Sequence, residues 1–296
     1  LYRPFDIRHT WYSGKSKGFI GTPGSAIMRH MISGENLALC CLRQSRRGEA
    51  SSYFVTQGLV NKDVVSPYDI GTLFPLYLHP EDQKPDELIV EEGGARRTNL
   101  SPEFITEIAS KLKLQFVSDG LGNLTKTFGP EAVFKYAYAV FHSPGYRARY
   151  AEFLRTDFPR LPLTSDTKLF RKLCGFGSDL TGLHLLRVTG GLRVSYPVKG
   201  TDTVDEVTYE PPHKSEPGRV RINAEQWFDG VPPETWTFRI GGYQVAEKWL
   251  KDRKGRQLSI DERRLYPQII AALDETIRIM RAIDGAITEA GGWPLK

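Results

Sequence analysis

The sequence predicts an α+β fold, with a strand-rich N-terminal part and a mainly helical part that closes on a long C-terminal helix. Three observations predict it. Through residues 1–80, apolar runs rich in β-branched and aromatic residues alternate with polar loops. From Ser101 onward, serine, aspartate and proline start signals open segments with apolar residues three or four positions apart. Over the last long segment Ile269, Leu273, Ile277, Met280 and Ile287 keep that spacing, as a helix packed on a core requires. The change of pattern divides the chain into residues 1–98 and 99–296.

Candidate strands are Phe5–Tyr12, Leu37–Gln44, Tyr53–Val60 and Leu73–Leu78, with a short helix near Ala26–Ile32. The string SRRGEAS, Ser45 to Ser51, reads as a hairpin loop. Residues 80–97 (PEDQKPDELIVEEGGARR) carry too much charge, proline and glycine for a core and read as a flexible insertion. Ser101 caps a helix with Pro102 in its first turn, running to about Leu112. Pro130 opens another, with Ala132, Val133, Tyr136, Ala137 and Val140 along one face. Pro144 begins a third, and Asp166 caps a fourth that carries Leu169, Phe170 and Leu173. Short strands occupy roughly residues 188–222, and helices over Tyr243–Asp252 and from Ser259 to about Ile287 complete the chain.

Composition bounds the function. With 296 residues, 40% hydrophobic, 15 Phe and 13 Tyr, the chain can bury a sizeable core. Its apolar runs stop well short of the ~18 residues a membrane span needs, so no membrane partner is expected. Leu1 is not a start methionine and no targeting segment follows it, so the chain reads as a fragment of a longer protein. Cys40, Cys41 and Cys174 form neither a disulfide framework nor a metal pair; the adjacent Cys40 and Cys41 read as small buried hydrophobes, Cys174 stands alone at a spacing to His184 that matches no zinc pattern, and a reducing, cytoplasmic compartment follows. His142 and His184 read as helix-end or core hydrogen-bonding groups rather than metal ligands. Trp227, Trp236, Tyr243 and Trp249 read as core.

Charge is uneven. The net charge is +5, yet residues 1–47 hold eight basic residues against two acidic ones, so the remainder is close to neutral. Lys248 to Arg256 then gathers five basic residues and one acid. Two such concentrations suit an anionic polymer, although each also has a plainer reading as solvated surface.

Catalytic motifs are missing. Gly14-Lys15-Ser16 matches the tail of a P-loop, but His9 stands where its first glycine belongs. GFGSDLTG, Gly175 to Gly182, lacks dinucleotide-site spacing, and no Asn-Pro-Pro-Tyr string for adenine methylation occurs. Asp166-Thr167-Lys168 and Asp252-Arg253-Lys254 imitate half of a nuclease metal site without a convincing upstream acid. The sequence therefore reads as non-catalytic, holding no cofactor or metal itself.

Phosphate contacts need Lys, Arg or amides, whereas base reading needs side chains such as Arg or Gln at a groove edge. Lys15 and Lys17 lie in the glycine-flanked GKSKG turn and suit backbone anchoring. Arg43, Gln44, Arg46 and Arg47 sit at a strand end and its loop, where a scaffold commonly carries recognition residues. In KWLKDRKGR, Lys248 can pair with Asp252 and Glu247 with Lys251, which leaves Arg253, Lys254 and Arg256 for phosphate.

Several strings together resemble the C-terminal region of type ISP restriction-modification enzymes: YRPFDIRHTWY (from Tyr2), CLRQSR (from Cys41), LFPLYLHP (from Leu73), YAYAVFHSPGYRARYAEFLRTDFPRLPL (from Tyr136) and INAEQWFDGVPPETWTFRIGGYQVAEKWLKDRKGRQLS (from Ile222). The resemblance spans nearly the whole chain. It implies a target-recognition module for double-stranded DNA, docked on the adenine-N6 methyltransferase domain of the same polypeptide. S-adenosylmethionine, ATP and magnesium, with methylation, translocation and cleavage, would belong to the longer protein. The alternative is a structural coupler that docks on the methyltransferase and motor without reading bases. Because relatives in this family read different sequences, base readers could also lie in 84–128 and 187–219.

Overall fold

The computed structural model describes residues 1–15, 23–33, 35–46, 52–80 and 96–296. A short helix α1 (Ser25–Met28) runs into a 3-10 turn, and strands β1 (Ala38–Leu42), β2 (Tyr53–Thr56) and β3 (Gly71–Pro75) follow. These three form an antiparallel sheet with β1 in the centre, Cys40 opposite Phe54 on one side and Leu73 on the other. A central strand is buried on both flanks, which suits ALCCL and leaves both cysteines in the core. β4 (Tyr77–Leu78) pairs with β5 (Arg97–Thr98). Among the described residues five strands thus precede residue 99, in keeping with the predicted strand-rich half.

Sequence and structure differ at the strand ends. Residues 5–12 form no strand: Pro4 has no amide hydrogen to give, Phe5 takes φ 60°, and Asp6 turns back to bridge Arg3. The expected Tyr53–Val60 strand stops at Thr56, whose hydroxyl accepts the Gly58 amide at 3.1 Å. The expected Leu73–Leu78 strand breaks at Leu76, whose amide turns to Leu37 O. Much of the hairpin loop (47–51) and of the charged insertion (81–95) lies outside the described residues.

Helix starts fall where the caps indicated. Ser101 caps α2 (Pro102–Leu112), accepting from Phe104 N at 3.2 Å. β6 (Gln115–Phe116) and β7 (Thr127–Phe128) pair in parallel ahead of α3 (Pro130–His142). α4 (Pro144–Arg149) and α5 (Ala151–Thr156) lead to α6 (Thr167–His184), capped by the Asp166 carboxylate. Next come the antiparallel sheet β8 (Thr208–Glu210), β9 (Arg219–Arg221) and β10 (Trp227–Asp229), then α7 (Pro233–Thr237). The hairpin β11 (Arg239–Ile240) and β12 (Tyr243–Gln244) enters α8 (Val245–Lys251), which is shorter than the sequence suggested because its first two residues pair as strand. The final helix α9 (Ile260–Glu289) opens with a capping box between Ser259 and Glu262.

α3, α6 and α9 pack together, and β2 lies on α3 and α6: Tyr53 stacks on Phe141 and Phe54 on His184, with ring centroids 5.1 and 5.2 Å apart. One buried apolar cluster runs from Phe5 to Ile287. α3 and α6 approach so closely that a Cβ on Gly177 would sit 1.8 Å from Lys135 O. Gly177→Ala is therefore expected to cost about 1–3 kcal/mol or more through overpacking. Urea unfolding checks this, and an unchanged midpoint would mean the helices separate freely.

The buried histidines make the expected core hydrogen bonds. The Thr276 hydroxyl donates to Ala272 O at 2.7 Å, so His184 Nε2, 3.0 Å away, must donate to it. His184 Nδ1 then accepts from the Tyr138 hydroxyl at 2.5 Å. His142 Nδ1 lies 2.7 Å from Tyr138 O and donates there. Burial pushes His184 down to about 3, with the nearby Arg147 charge adding to the effect, and pushes His142 well below the usual imidazole range.

Candidate nucleic-acid interface

β1 is held on both sides and ends at Leu42, so Arg43, Gln44 and Arg46 leave the centre of the sheet at a fixed place, all three exposed. Rigid support at the base with solvent at the tip is what a recognition rim needs. Ser45 N donates to Arg155 O at 3.1 Å, tying this stretch to α5. Arg43 Nε lies 3.3 Å from Asp157 Oδ1, with its guanidinium 5.9 Å from the Phe158 ring. Arg46 Nε lies 3.6 Å from Asp69 Oδ1. Exposed ion pairs of this kind are worth at most about 1 kcal/mol, so a phosphate or base can compete for either arginine. Lys15 is exposed just beyond Gly14, which takes φ 67° to make the turn. Lys17 and Arg47 lie outside the described residues.

The second basic run divides. The Lys248–Asp252 and Lys251–Glu247 pairs form, the latter at 2.8 Å. Arg253 turns inward and is only 6% exposed. Its Nη2 lies 3.0 Å from Asp6 Oδ1, its Nε 2.9 Å from Glu262 Oε1, and its Nη1 donates to Trp249 O at 2.8 Å. The guanidinium also covers the Trp249 ring at 3.4 Å. This arrangement fits a structural tie between the N-terminal segment and α8–α9 rather than a phosphate contact. Arg256 is half-exposed and holds Glu262 with both terminal nitrogens, at 2.9 and 2.5 Å. Burial alone would raise the Glu262 carboxyl, but hydrogen bonds from Arg256, the Ser259 amide and Arg253 hold it down to about 2. Lys254 is exposed.

The half-motifs for a nuclease have other work. Asp166 caps α6, and Asp252 pairs with Lys248 and lies 3.0 Å from Arg3. Among the described residues no three His, Cys, Asp or Glu side chains are grouped to hold a metal. Trp236, Tyr243 and Trp249 are buried, as core residues should be. Trp227 is half-buried, with the guanidinium groups of Arg219 and Arg221 at 5.2 and 5.0 Å from its ring.

Sequence reasoning did not single out Arg239, Ser52, Tyr68 or Asp69, which border the same rim. The nearest available signal was the turn in RIGGYQ, Arg239 to Gln244. Gly241 takes φ 56°, and a Cβ there would meet Val65 O at 1.9 Å, so the hairpin is pressed against the segment after β2.

An α+β scaffold with basic and amide side chains displayed at a strand end is the kind of arrangement a recognition module uses. The chain belongs to the type ISP C-terminal specificity domain family, whose pattern matches residues 1–282. Three of the solved structures that share its fold illustrate the likeness. One is the ATP-dependent type ISP restriction-modification enzyme LlaBIII bound to DNA (TM-score 0.66, 16% identity, 96% of this chain and 18% of that one). Another is a DrdV–DNA complex (TM-score 0.67, 21% identity, 95% and 28%). The third is a nuclease-deletion mutant of the type ISP enzyme LlaGI with a DNA substrate mimic (TM-score 0.59, 17% identity, 96% and 24%). The chain thus spans less than a third of the length of any of the three. No curated protein matches it. No helix among the described residues is long and apolar enough to cross a membrane.

Proposed function

We propose that this chain grips duplex DNA and reads its target sequence for a restriction-modification enzyme. The observation that carries this reading is the exposed Arg43–Gln44–Arg46 rim at the end of the central strand, in a member of a specificity-domain family. Arg43 and Gln44 have the chemistry for base edges, and Lys15, Lys254 and Arg256 for phosphates, with Lys17 and Arg47 adding charge in sequence. Two of the structural neighbours are DNA complexes and the third holds a DNA substrate mimic, which supports the same partner here. Adenine-N6 methylation, ATP-driven translocation and cleavage would be carried by other domains of a longer polypeptide, with S-adenosylmethionine, ATP and magnesium bound there. The three buried free thiols suit the cytoplasm.

The coupler role is favoured for a different surface. Ile7 and Trp11 are 78% and 81% exposed on the segment after Asp6 and suit docking on the methyltransferase domain.

Binding by the full-length protein to cognate and random duplexes over a salt series tests the reading. Gln44→Ala or Arg43→Ala is expected to cost the cognate site about 1–3 kcal/mol and random DNA little. Lys15→Ala or Lys254→Ala should weaken both duplexes alike and lower the salt slope by about one unit. Salt-independent binding would overturn the phosphate contacts, and equal losses on both duplexes from Gln44→Ala and Arg43→Ala would show that this rim does not read sequence.

A further inference from the structure

The β8–β9 hairpin runs on past the rest of its sheet. Glu210 pairs with Arg219, and His213 bridges Glu216 in the same register, so the two strands continue as one ribbon to a two-residue turn, Lys214–Ser215. His213 N donates to Glu216 O at 3.2 Å and Glu216 N to His213 O at 3.0 Å. Pro211, Pro212 and Pro217 lie between these pairs; they have no amide hydrogen, which leaves a gap in the ladder but stiffens both arms. The base of the ribbon is clamped. Gly218 O accepts the Gly230 and Val231 amides at 3.0 and 2.9 Å, and the Tyr209 hydroxyl donates to Val231 O at 2.9 Å. β10 pairs no further than Arg219, and residues 211–217 are exposed throughout.

Hairpin connections commonly take about two to five residues, so this ribbon is longer than joining two strands requires. Four residues in each arm, Pro211–Lys214 and Ser215–Gly218, carry the turn roughly 13 Å beyond the sheet at ~3.3 Å per residue. The major groove of DNA is about 8.5 Å deep and about 12 Å wide, and it admits a two-stranded ribbon. The apex has the chemistry for base edges. Lys214 takes φ 54°, which lysine rarely adopts and glycine holds without strain, so a side chain is kept here at a cost. None of the His213, Lys214 and Ser215 side chains has a hydrogen-bond or ion-pair partner among the described residues. Protein partners are gripped through aromatic and apolar anchors, and the apex has none. A phosphate grip needs several free cations. Here Arg219 is paired with Glu216 and Asp229, and Arg221 with Glu210, which leaves Lys214.

We propose that this ribbon enters the major groove of the bound duplex, where Lys214 and Ser215 at its apex read base edges. Lysine donates to guanine O6 and N7, and serine can give or accept a hydrogen bond at any base. The inference rests on the duplex-binding reading above and adds a second reading element to the Arg43–Gln44 rim, within the stretch 187–219.

The test uses the full-length protein, its cognate duplex and duplexes in which each recognised base pair is replaced in turn. Glycine suits the backbone of residue 214 better than lysine, so Lys214→Gly should remove the side chain with the melting temperature level or raised. At one base pair, replacement should weaken wild type about tenfold and leave Lys214→Gly unaffected, with random-duplex binding and the salt slope little changed. Ser215→Ala should lose a severalfold penalty at the same or the adjacent pair, and it carries the test if Lys214→Gly fails to fold. Gln44→Ala and Arg43→Ala should leave these penalties in place, which separates the ribbon from the rim. If both ribbon variants keep every penalty of wild type, the ribbon reads no base edge and the proposal falls. It also falls if Lys214→Gly weakens cognate and random duplexes alike and lowers the salt slope by about 0.9 unit, since the tip would then hold a phosphate. Absence of salt-dependent duplex binding, or of any base-pair preference, in wild type is instead the failure of the recognition reading.

Discussion

Arg253→Ala is expected to lower the unfolding free energy of the chain by about 3–5 kcal/mol, the cost of removing one partner from a buried ion cluster. Arg253 meets Asp6 at 3.0 Å, Glu262 at 2.9 Å and Trp249 O at 2.8 Å, and the Asp6 side chain is only 3% exposed. Arg8 and Arg256 still reach the two carboxylates after the substitution, but both approach from the solvent side. Neither can replace the bond to Trp249 O or the guanidinium lying on its ring. Lysine at this position should restore little, because one ammonium cannot serve three directions held by a planar fork. Chemical denaturation of the Ala and Lys variants checks the claim. A loss below about 1 kcal/mol would mean that the arginine is not buried in solution, and its candidacy as a phosphate contact would return.

Acid should destabilise the fold well before most carboxylates protonate. His184 ionises in the unfolded chain near 6.5, whereas burial holds it at about 3 in the folded protein. The unfolded state therefore takes up the proton first. The stabilising contribution is fully present above about pH 6.5 and is lost as pH falls toward 3, at about 1.4 kcal/mol per pH unit. Between pH 6.5 and 4.5 this amounts to roughly 2–3 kcal/mol from His184 alone. His142, lowered in the same direction by burial, adds to it. Glu262 acts in a separate window, its contribution fading only as pH falls from its ordinary 4.5 to about 2. Glutamine can still reach Thr276 and Tyr138 but cannot take up the proton, so His184→Gln should flatten the pH dependence of the urea midpoint. An unaltered dependence, or an imidazole NMR signal titrating above pH 5 in the folded protein, would contradict the buried neutral tautomer.

Helix positions were legible because their signals are local. Ser101, Asp166 and Ser259 each satisfy amides within three residues of themselves, so a cap and its helix are written side by side. The spacing of Ile269, Leu273 and Ile277 on α9 likewise needs no knowledge of what the face packs against. Strand ends were less legible, since a strand lasts only as long as its neighbour pairs with it. Residues 5–12 have strand-like composition, but Pro4 and the Arg3–Asp6 turn take them out of any sheet.

The family was also legible, because the matching strings stretch across almost the whole chain in a fixed order. The basic residues were legible as charge but not as surface. Arg253 and Lys254 are adjacent in sequence; one is enclosed by Asp6 and Glu262 and the other stands in solvent. Asp6 lies 247 positions from Arg253, and no local pattern encodes such a pair. Ser52 and Arg239 show the same limit, because they border one recess only when the hairpin is pressed onto the segment after β2.

The sequence by itself thus determined the α+β class, the helix starts, the family and the excess of positive charge, all of which follow from short-range periodicity, capping chemistry and residue identity. Only the tertiary structure decided which cations face solvent, where strands stop, and which distant polar groups line one recess. Burial and long-range pairing depend on chain segments that meet only in the folded protein.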